Sequence, residues 1–104
     1  MSRIGLLTEF STPGSYGVVV NGRPLLVVNN QGDFFVYENR CPHTGETLDP
    51  MGGSVATEDG LLLQCQRHAA QFIPKSGECV AGPCQGDALT AVAFTLTPDS
   101  LYLD

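Results

Sequence analysis

The sequence predicts an all-β fold built from antiparallel sheets. Short apolar runs alternate with turn clusters, and the chain contains 12 Gly and 7 Pro among its 104 residues, which suits a turn-rich sheet protein better than a helical bundle. No long helical periodicity interrupts this pattern. The length fits one small domain, so we predict a single domain over residues 1–104.

The first half of the chain predicts a meander of strands. Residues 4–8 form a plausible opening strand, and the turn residues 11–15 follow it. Asn21-Gly22 separates the apolar runs 16–20 and 24–29, and this dipeptide between two such runs is a strong hairpin signal. After a further turn at 29–33, the aromatic and β-branched residues 34–38 predict the next strand, in which Phe34, Phe35 and Tyr37 are expected core or sheet residues.

The second half combines a long loop with short strands. Residues 39–60 lose all periodicity, and a loop of this length is typically functional. The remaining expectations are short strands at 61–64 and 71–73, a turn at 74–78, an irregular segment at 79–86, and closing strands at 88–97 and 101–103.

Two short segments carry the chemistry of the chain. The first reads Cys41-Pro42-His43, and the second reads Cys65-Gln66-Arg67-His68; each supplies one thiolate and one imidazole, and the chain has no other histidine. In an extended segment, residues i and i+2 project to the same side, so Cys41 and His43 can face one metal site. We interpret Cys41, His43, Cys65 and His68 as ligands of a [2Fe-2S] cluster, with both cysteines on one iron and both histidines on the other.

Zinc is the main alternative metal, because intracellular Cys2His2 sites most often bind zinc. Zinc fingers pair two cysteines and then two histidines, whereas each segment here places Cys before His. A zinc-stabilised interaction module nevertheless stays open as an alternative at this point.

The two motifs resemble those of the Rieske iron-sulfur family. Further similarity follows in order at Gly45, Leu48, Gly53, Gly60, Phe72, Gly77 and Gly82-Pro83, so the resemblance is close from Tyr37 to Pro83. It implies the Rieske fold, in which a cluster-binding subdomain, here about residues 39–85, is inserted into antiparallel sheets. It also implies one [2Fe-2S] cluster per chain, partly covered by the loop at Gly82-Pro83.

The resemblance further implies a low reduction potential. Two ferric ions, two sulfides, two thiolates and two neutral imidazoles sum to a neutral oxidised cluster, which raises Rieske potentials to about −150 to +300 mV. High-potential members add a disulfide between the motif loops and a serine that hydrogen-bonds a sulfide. Here the corresponding positions hold Glu46, Gln66 and Ala70, so both features are missing, which predicts a potential near the bottom of the range.

The predicted function is one-electron transfer by a ferredoxin, not catalysis. The expected partners are a reductase and a terminal oxygenase, and a small subunit of a nitrite-reductase-like enzyme is an alternative. An oxygenase catalytic subunit would need a further mononuclear iron held by two histidines, and both histidines are already assigned. No catalytic residue is predicted. Cys79 and Cys84 are expected as buried structural thiols, with a disulfide between them as the alternative.

Charge and hydropathy indicate which classes of partner and which cell compartment to expect. A net charge of −6 and a pI near 4.6 argue against binding to nucleic-acid phosphates. Arg40 and Arg67 lie beside the ligands and are expected as ordinary solvated charges, with partner docking as the alternative. No run approaches the roughly 20 apolar residues of a spanning helix, and the start of the sequence lacks an apolar signal region, so we expect a cytoplasmic protein without membrane partners. The oligomeric state is left open.

Overall fold

A computed structural model describes residues 2–42, 45–49, 52–57, 62–66, 70–82 and 86–104. These residues form three antiparallel sheets of three strands each, which confirms the predicted all-β class. In chain order the elements are β1 (Ser2–Leu6), a 3-10 helix (Leu7–Phe10), β2 (Gly14–Val20), β3 (Arg23–Asn30), β4 (Asp33–Glu38), β5 (Leu63–Gln64), β6 (Gln71–Phe72), β7 (Cys79–Ala81), β8 (Phe94–Leu96) and β9 (Ser100–Leu103). Among them, no helix has the length and apolar character needed to cross a membrane.

The sheet β2-β3-β4 is a meander joined by two tight hairpins. Asn21 and Gly22 have φ values of 52° and 77°, as a two-residue hairpin with positive φ at both central positions requires. The predicted hairpin is therefore confirmed. Gln31 and Gly32 make the second hairpin in the same way, with φ values of 53° and 98°.

The sheet β1-β9-β8 shares one apolar core with parts of this meander, around Phe10, Leu25, Val27, Val36 and Leu101. β1 ends earlier than predicted, at Leu6, because the 3-10 helix begins at the next residue, Leu7. The backbone N–H of Leu6 donates to Glu9 Oε1 at 2.8 Å, and this contact caps the first turn of the helix.

The third sheet, β5-β6-β7, is inserted in the chain between β4 and β8. We call the inserted part of the chain, about residues 39–85, the cluster unit, because both predicted motifs lie in it. The apolar core that contains Cys41 and Cys65 is shared with the meander, because it includes Leu48, Leu63 and Phe72 of the cluster unit and also Leu26, Val28 and Tyr37 of β3 and β4. Because both cysteines are buried among apolar side chains, the predicted site lies against a packed core.

Two predicted boundaries in the last third were wrong. The expected irregular segment 79–86 begins with strand β7, and the expected strand 88–97 contains regular strand only at Phe94–Leu96. The first difference arises because β7 pairs with β6. The second arises because residues 87–92 bond alternately to the cluster unit and to the meander. Cys79 N–H donates to Asp87 O at 2.9 Å and Leu89 N–H to Gly77 O at 2.8 Å, on the cluster unit, while Glu38 N–H donates to Thr90 O at 2.8 Å and Val92 N–H to Val36 O at 2.9 Å, on the meander.

Side chains also join the cluster unit to the meander. Ser54 Oγ accepts from Ser15 N–H at 3.0 Å, and Ser15 Oγ accepts from Val55 N–H at 2.8 Å, so two serines hold the long loop against β2. On the other side, the Tyr37 hydroxyl donates to Pro74 O at 2.7 Å. These contacts hold the predicted motifs in place relative to the larger sheets.

Candidate metal centre

The first motif lies in a tight turn directly after β4. Cys41 N–H donates to Glu46 O at 2.7 Å, and Gly45 N–H donates back to Cys41 O at 2.7 Å. Gly45 has a φ of 77°, a left-handed conformation that glycine adopts without steric cost. The turn therefore places Cys41 at its first position and is closed by its own backbone.

The same turn recurs at residues 73–78. Ile73 N–H donates to Glu78 O at 2.9 Å, and Gly77, with a φ of 75°, donates to Ile73 O at 2.7 Å. The two sequences are CPHTGE (41–46) and IPKSGE (73–78), which share Pro, Gly and Glu at matching positions. Because the second copy carries no predicted ligand, we infer that local sequence, and not metal binding, determines the geometry of this turn.

The second motif starts at Cys65, directly after β5. Cys65 N–H donates to Ala70 O at 2.8 Å, so this segment is also closed by a bond from the cysteine to the carbonyl five residues later. The two predicted cysteine ligands thus each begin a segment that is closed by the same type of backbone hydrogen bond. A bridge joins these loops, because Gln66 N–H donates to Leu48 O at 3.0 Å.

Both cysteines are buried in the same apolar core, with exposed fractions of 0% for Cys41 and 1% for Cys65. A buried thiolate without a compensating positive charge would be costly. Iron bound to both sulfur atoms would supply that charge, and thiolates are the protein ligands that iron-sulfur clusters use. The described half of the donor set therefore fits the predicted cluster.

His43 and His68 lie outside the described residues. For the same reason, the part of the chain that is described contains no group of three or more His, Cys, Asp or Glu side chains arranged as metal ligands. Two of the four predicted ligands are thus found together in one core, and the other two stay predictions.

The remaining singled-out residues have mixed outcomes. Arg40 is exposed, and its guanidinium lies over Gly45, where a Cβ would be 3.4 Å from Nε and from Nη2. Cys79 is buried, as predicted for a structural thiol, and its Sγ donates to Ala81 O at 3.2 Å. Cys84, the partner of Cys79 in the alternative disulfide, lies outside the described residues, as do Gly60, Arg67 and Pro83.

Two residues beside the motifs make contacts that were not predicted from the sequence. Asn39, two positions before Cys41, is buried and bonds through its side chain to Asp49 and to the backbone of Leu48. Tyr37, predicted as a core aromatic, also contributes its hydroxyl, and burial raises the pKa of this hydroxyl above its ordinary value of 10.0. A polar residue so close to a predicted ligand was the available signal for Asn39.

Comparisons with known proteins identify the family of this chain. The Rieske [2Fe-2S] domain model matches residues 3–95. The 3-phenylpropionate/cinnamic acid dioxygenase ferredoxin subunit of Escherichia coli (strain K12) is 24% identical over 105 residues, which cover 100% of this chain and 94% of that protein.

Solved structures show the same fold. The ferredoxin of carbazole 1,9a-dioxygenase from Nocardioides aromaticivorans IC177 superimposes with a TM-score of 0.78 at 24% identity, covering 97% of this chain and 93% of that one. A chain in the complex of reduced oxygenase and oxidized ferredoxin in carbazole 1,9a-dioxygenase gives a TM-score of 0.78 at 20% identity, covering 97% and 89%. Since the domain model spans most of the sequence, this chain belongs to the Rieske [2Fe-2S] family, whose cofactor is an iron-sulfur cluster.

Proposed function

We propose that this protein is a Rieske ferredoxin that carries single electrons from a reductase to a terminal oxygenase. The observation that carries the proposal is the burial of both motif cysteines, each bonded through its N–H to the carbonyl five residues later, within a chain of the Rieske family. The similar proteins named as ferredoxins of dioxygenases support an oxygenase as the electron acceptor.

The ligand set that we propose is Cys41 and Cys65 on one iron, and His43 and His68 on the other, with one cluster per chain. When bound, such a cluster accepts and releases one electron without bond rearrangement in the protein. We propose further that residues 1–104 form one domain, with the cluster unit over about residues 39–85, and that the protein is cytoplasmic.

The described residues supply the environment that such a centre needs. Leu48, Ala70 and Phe72, each 0% exposed, pack in the same core as the two cysteines and exclude water from the thiolate side. Exclusion of water and hydrogen bonding around the sulfur atoms are the principal means by which a protein tunes the potential of a bound cluster.

A polar groove beside Cys41 offers a place for a partner. It has a volume of about 400 Å³ and is lined in part by Glu38, Arg40, Pro42 and Thr90. We propose that the acceptor approaches near this side of the cluster unit, where Arg40 supplies a positive charge in a chain whose net charge is −6.

The test begins with anaerobically purified protein. We expect two iron ions and two labile sulfides per chain, a reddish-brown colour, and uptake of one electron per chain from dithionite. The Cys41→Ala variant should lose the cluster, whereas Cys79→Ala, which removes another buried thiol that is not a proposed ligand, should retain it.

Two outcomes would contradict the proposal. A colourless protein with one zinc ion per chain would identify a zinc-stabilised module. Reduced protein that is reoxidised by a nitrite-reductase catalytic subunit, but not by any aromatic-ring dioxygenase component, would identify the alternative enzyme system.

A further inference from the structure

Asn39 occupies an unusual position for a polar side chain. It follows β4 directly, precedes Cys41 by two residues, and is only 5% exposed. Its backbone N–H donates to Pro24 O at 3.0 Å, which fixes the residue to the meander. Buried polar groups are normally hydrogen-bonded, so the partners of this buried amide show which parts of the chain it holds in place.

Both polar atoms of the Asn39 side chain are hydrogen-bonded to the long loop that follows β4. Nδ2 donates to Asp49 Oδ1 at 2.7 Å, and Oδ1 accepts from Leu48 N–H at 2.9 Å. The carboxylate makes the first of these a charge-assisted hydrogen bond, which is stronger than a neutral one. Asn39 therefore holds residues 48 and 49 from two directions.

The carbonyl of Leu48 continues this connection to the second motif, because it accepts from Gln66 N–H at 3.0 Å. Gln66 follows Cys65 directly. A continuous path of hydrogen bonds thus leads from Asn39, near Cys41, through Leu48 to the residue next to Cys65. The path includes no predicted ligand side chain.

Gly17 on β2 provides the space that this arrangement needs. A Cβ at position 17 would overlap with Asp49 Oδ2 and would lie 3.4 Å from Asn39 Nδ2. Only glycine leaves room for the carboxylate at this point of the sheet. The pair Asn39–Asp49 is therefore packed against β2 as well as hydrogen-bonded.

We propose that Asn39 is a positioning residue that sets the placement of Cys65 relative to Cys41 and thereby slows the release of iron. The inference rests on the proposed function, since it concerns how long the protein retains its bound cluster. Loss of a partner that orients metal ligands typically costs about 10- to 100-fold in metal affinity. Loss of the Asn39 contacts should have an effect of that size on the rate of iron release.

The test compares iron release to a chelator from anaerobic holoprotein at a temperature well below unfolding. Asn39→Asp keeps an acceptor for Leu48 N–H but removes the donor to Asp49, and it places two carboxylates together. We expect release to become about 10- to 100-fold faster, with a changed visible circular dichroism spectrum of the bound cluster.

The double variant Asn39→Asp with Asp49→Asn restores the hydrogen bond with donor and acceptor exchanged, at unchanged net charge. It should return the release rate to within about threefold of the wild type, which is well below the smallest effect expected of the single variant. Should Asn39→Asp fail to fold, Asp49→Ala takes its place, because it removes the acceptor for Asn39 Nδ2 and leaves the Leu48 contact intact.

Asn29 offers a matched control. It is also 5% exposed, donates through Nδ2 to Phe10 O at 2.7 Å and accepts through Oδ1 from Gly32 N–H at 2.8 Å, but it lies within the meander. Asn29→Asp should lower the melting temperature while leaving the iron-release rate and the cluster spectrum unchanged.

Several results would overturn the inference. Equal release rates for Asn39→Asp and the wild type would do so, as would an equal acceleration by Asn29→Asp or a double variant that stays as fast as the single one. Wild-type protein without iron and labile sulfide would instead contradict the proposed function itself.

Discussion

Gly77 allows a quantitative test of how the cluster unit packs on the meander. Gly77 has a φ of 75°, and a Cβ at this position would lie 2.9 Å from Tyr37 Cε1, 3.1 Å from Leu89 Cβ and 3.2 Å from Leu89 O. Leu89 O is a main-chain atom and Leu89 Cβ is bonded directly to the main chain, so neither can rotate away. Gly77→Ala therefore combines backbone strain with crowding in the core.

Gly22 separates these two effects. Its φ is 77°, nearly that of Gly77, but a Cβ there would meet nothing within 4 Å. A left-handed alanine costs about 1–2 kcal/mol, which is the expected loss for Gly22→Ala. Overpacking adds about 1–3 kcal/mol, so Gly77→Ala should lose about 2–5 kcal/mol in total.

The measurement is the melting temperature of both variants at one scan rate and equal cluster occupancy, because cluster loss can make unfolding irreversible. For a domain of this size, 1 kcal/mol corresponds to about 4–8 °C, so Gly77→Ala should melt at least about 4 °C below Gly22→Ala. Equal melting temperatures would refute the close packing of Gly77 against Tyr37 and Leu89. An unchanged melting temperature for Gly22→Ala would refute the strain component.

Three further predictions concern ionisation and potential. The midpoint potential should fall as pH rises, because the imidazoles of His43 and His68 lose protons more readily when bound to ferric iron, and loss of a proton stabilises the oxidised form; a potential independent of pH up to strongly alkaline solution would contradict this. Burial raises the pKa of Tyr37 in the folded state, so its contribution to stability is complete below pH 10.0 and is lost as pH rises beyond that value. Tyr37→Phe should lower stability by about 1–3 kcal/mol at neutral pH, since it leaves the Pro74 carbonyl unpaired, and should flatten the decline in melting temperature above pH 10.0. Redox titration should give a potential near the lower end of the range of about −150 to +300 mV, and a clearly positive value would contradict it.

The regular parts of the fold could be predicted because each has a local cause. Asn21-Gly22 supplies the positive φ values that its hairpin requires, and the predicted strand at 34–38 matches β4 to within one residue. The structure places both motif cysteines in one core, each at the start of a segment closed by a backbone hydrogen bond, and their assignment as cluster ligands stays a prediction.

The segment 87–92 could not be predicted, because its structure depends on partners that are distant in sequence. Its apolar residues indicate a strand, yet its backbone bonds alternately to Gly77 or Cys79 and to Val36 or Glu38. Local β propensity does not reveal such divided pairing.

The role of Asn39 was also hidden, since it depends on the approach of Asp49 to Gly17, which only the folded chain brings together. A turn was predicted at 74–78, but the similarity of residues 73–78 to the first motif becomes informative only when both turns are seen to close in the same way.

Pulsed EPR of the reduced protein, labelled with ¹⁵N-histidine, tests the central claim most directly. The chain has 2 His, so every labelled nitrogen belongs to His43 or His68. We predict two strongly coupled histidine nitrogens, the iron-bound ring nitrogen of each imidazole. Replacing either histidine by alanine should remove one of these couplings and make the cluster unstable. A cluster signal without any histidine coupling, or with only one, would contradict the assignment of paired cysteine and paired histidine ligands.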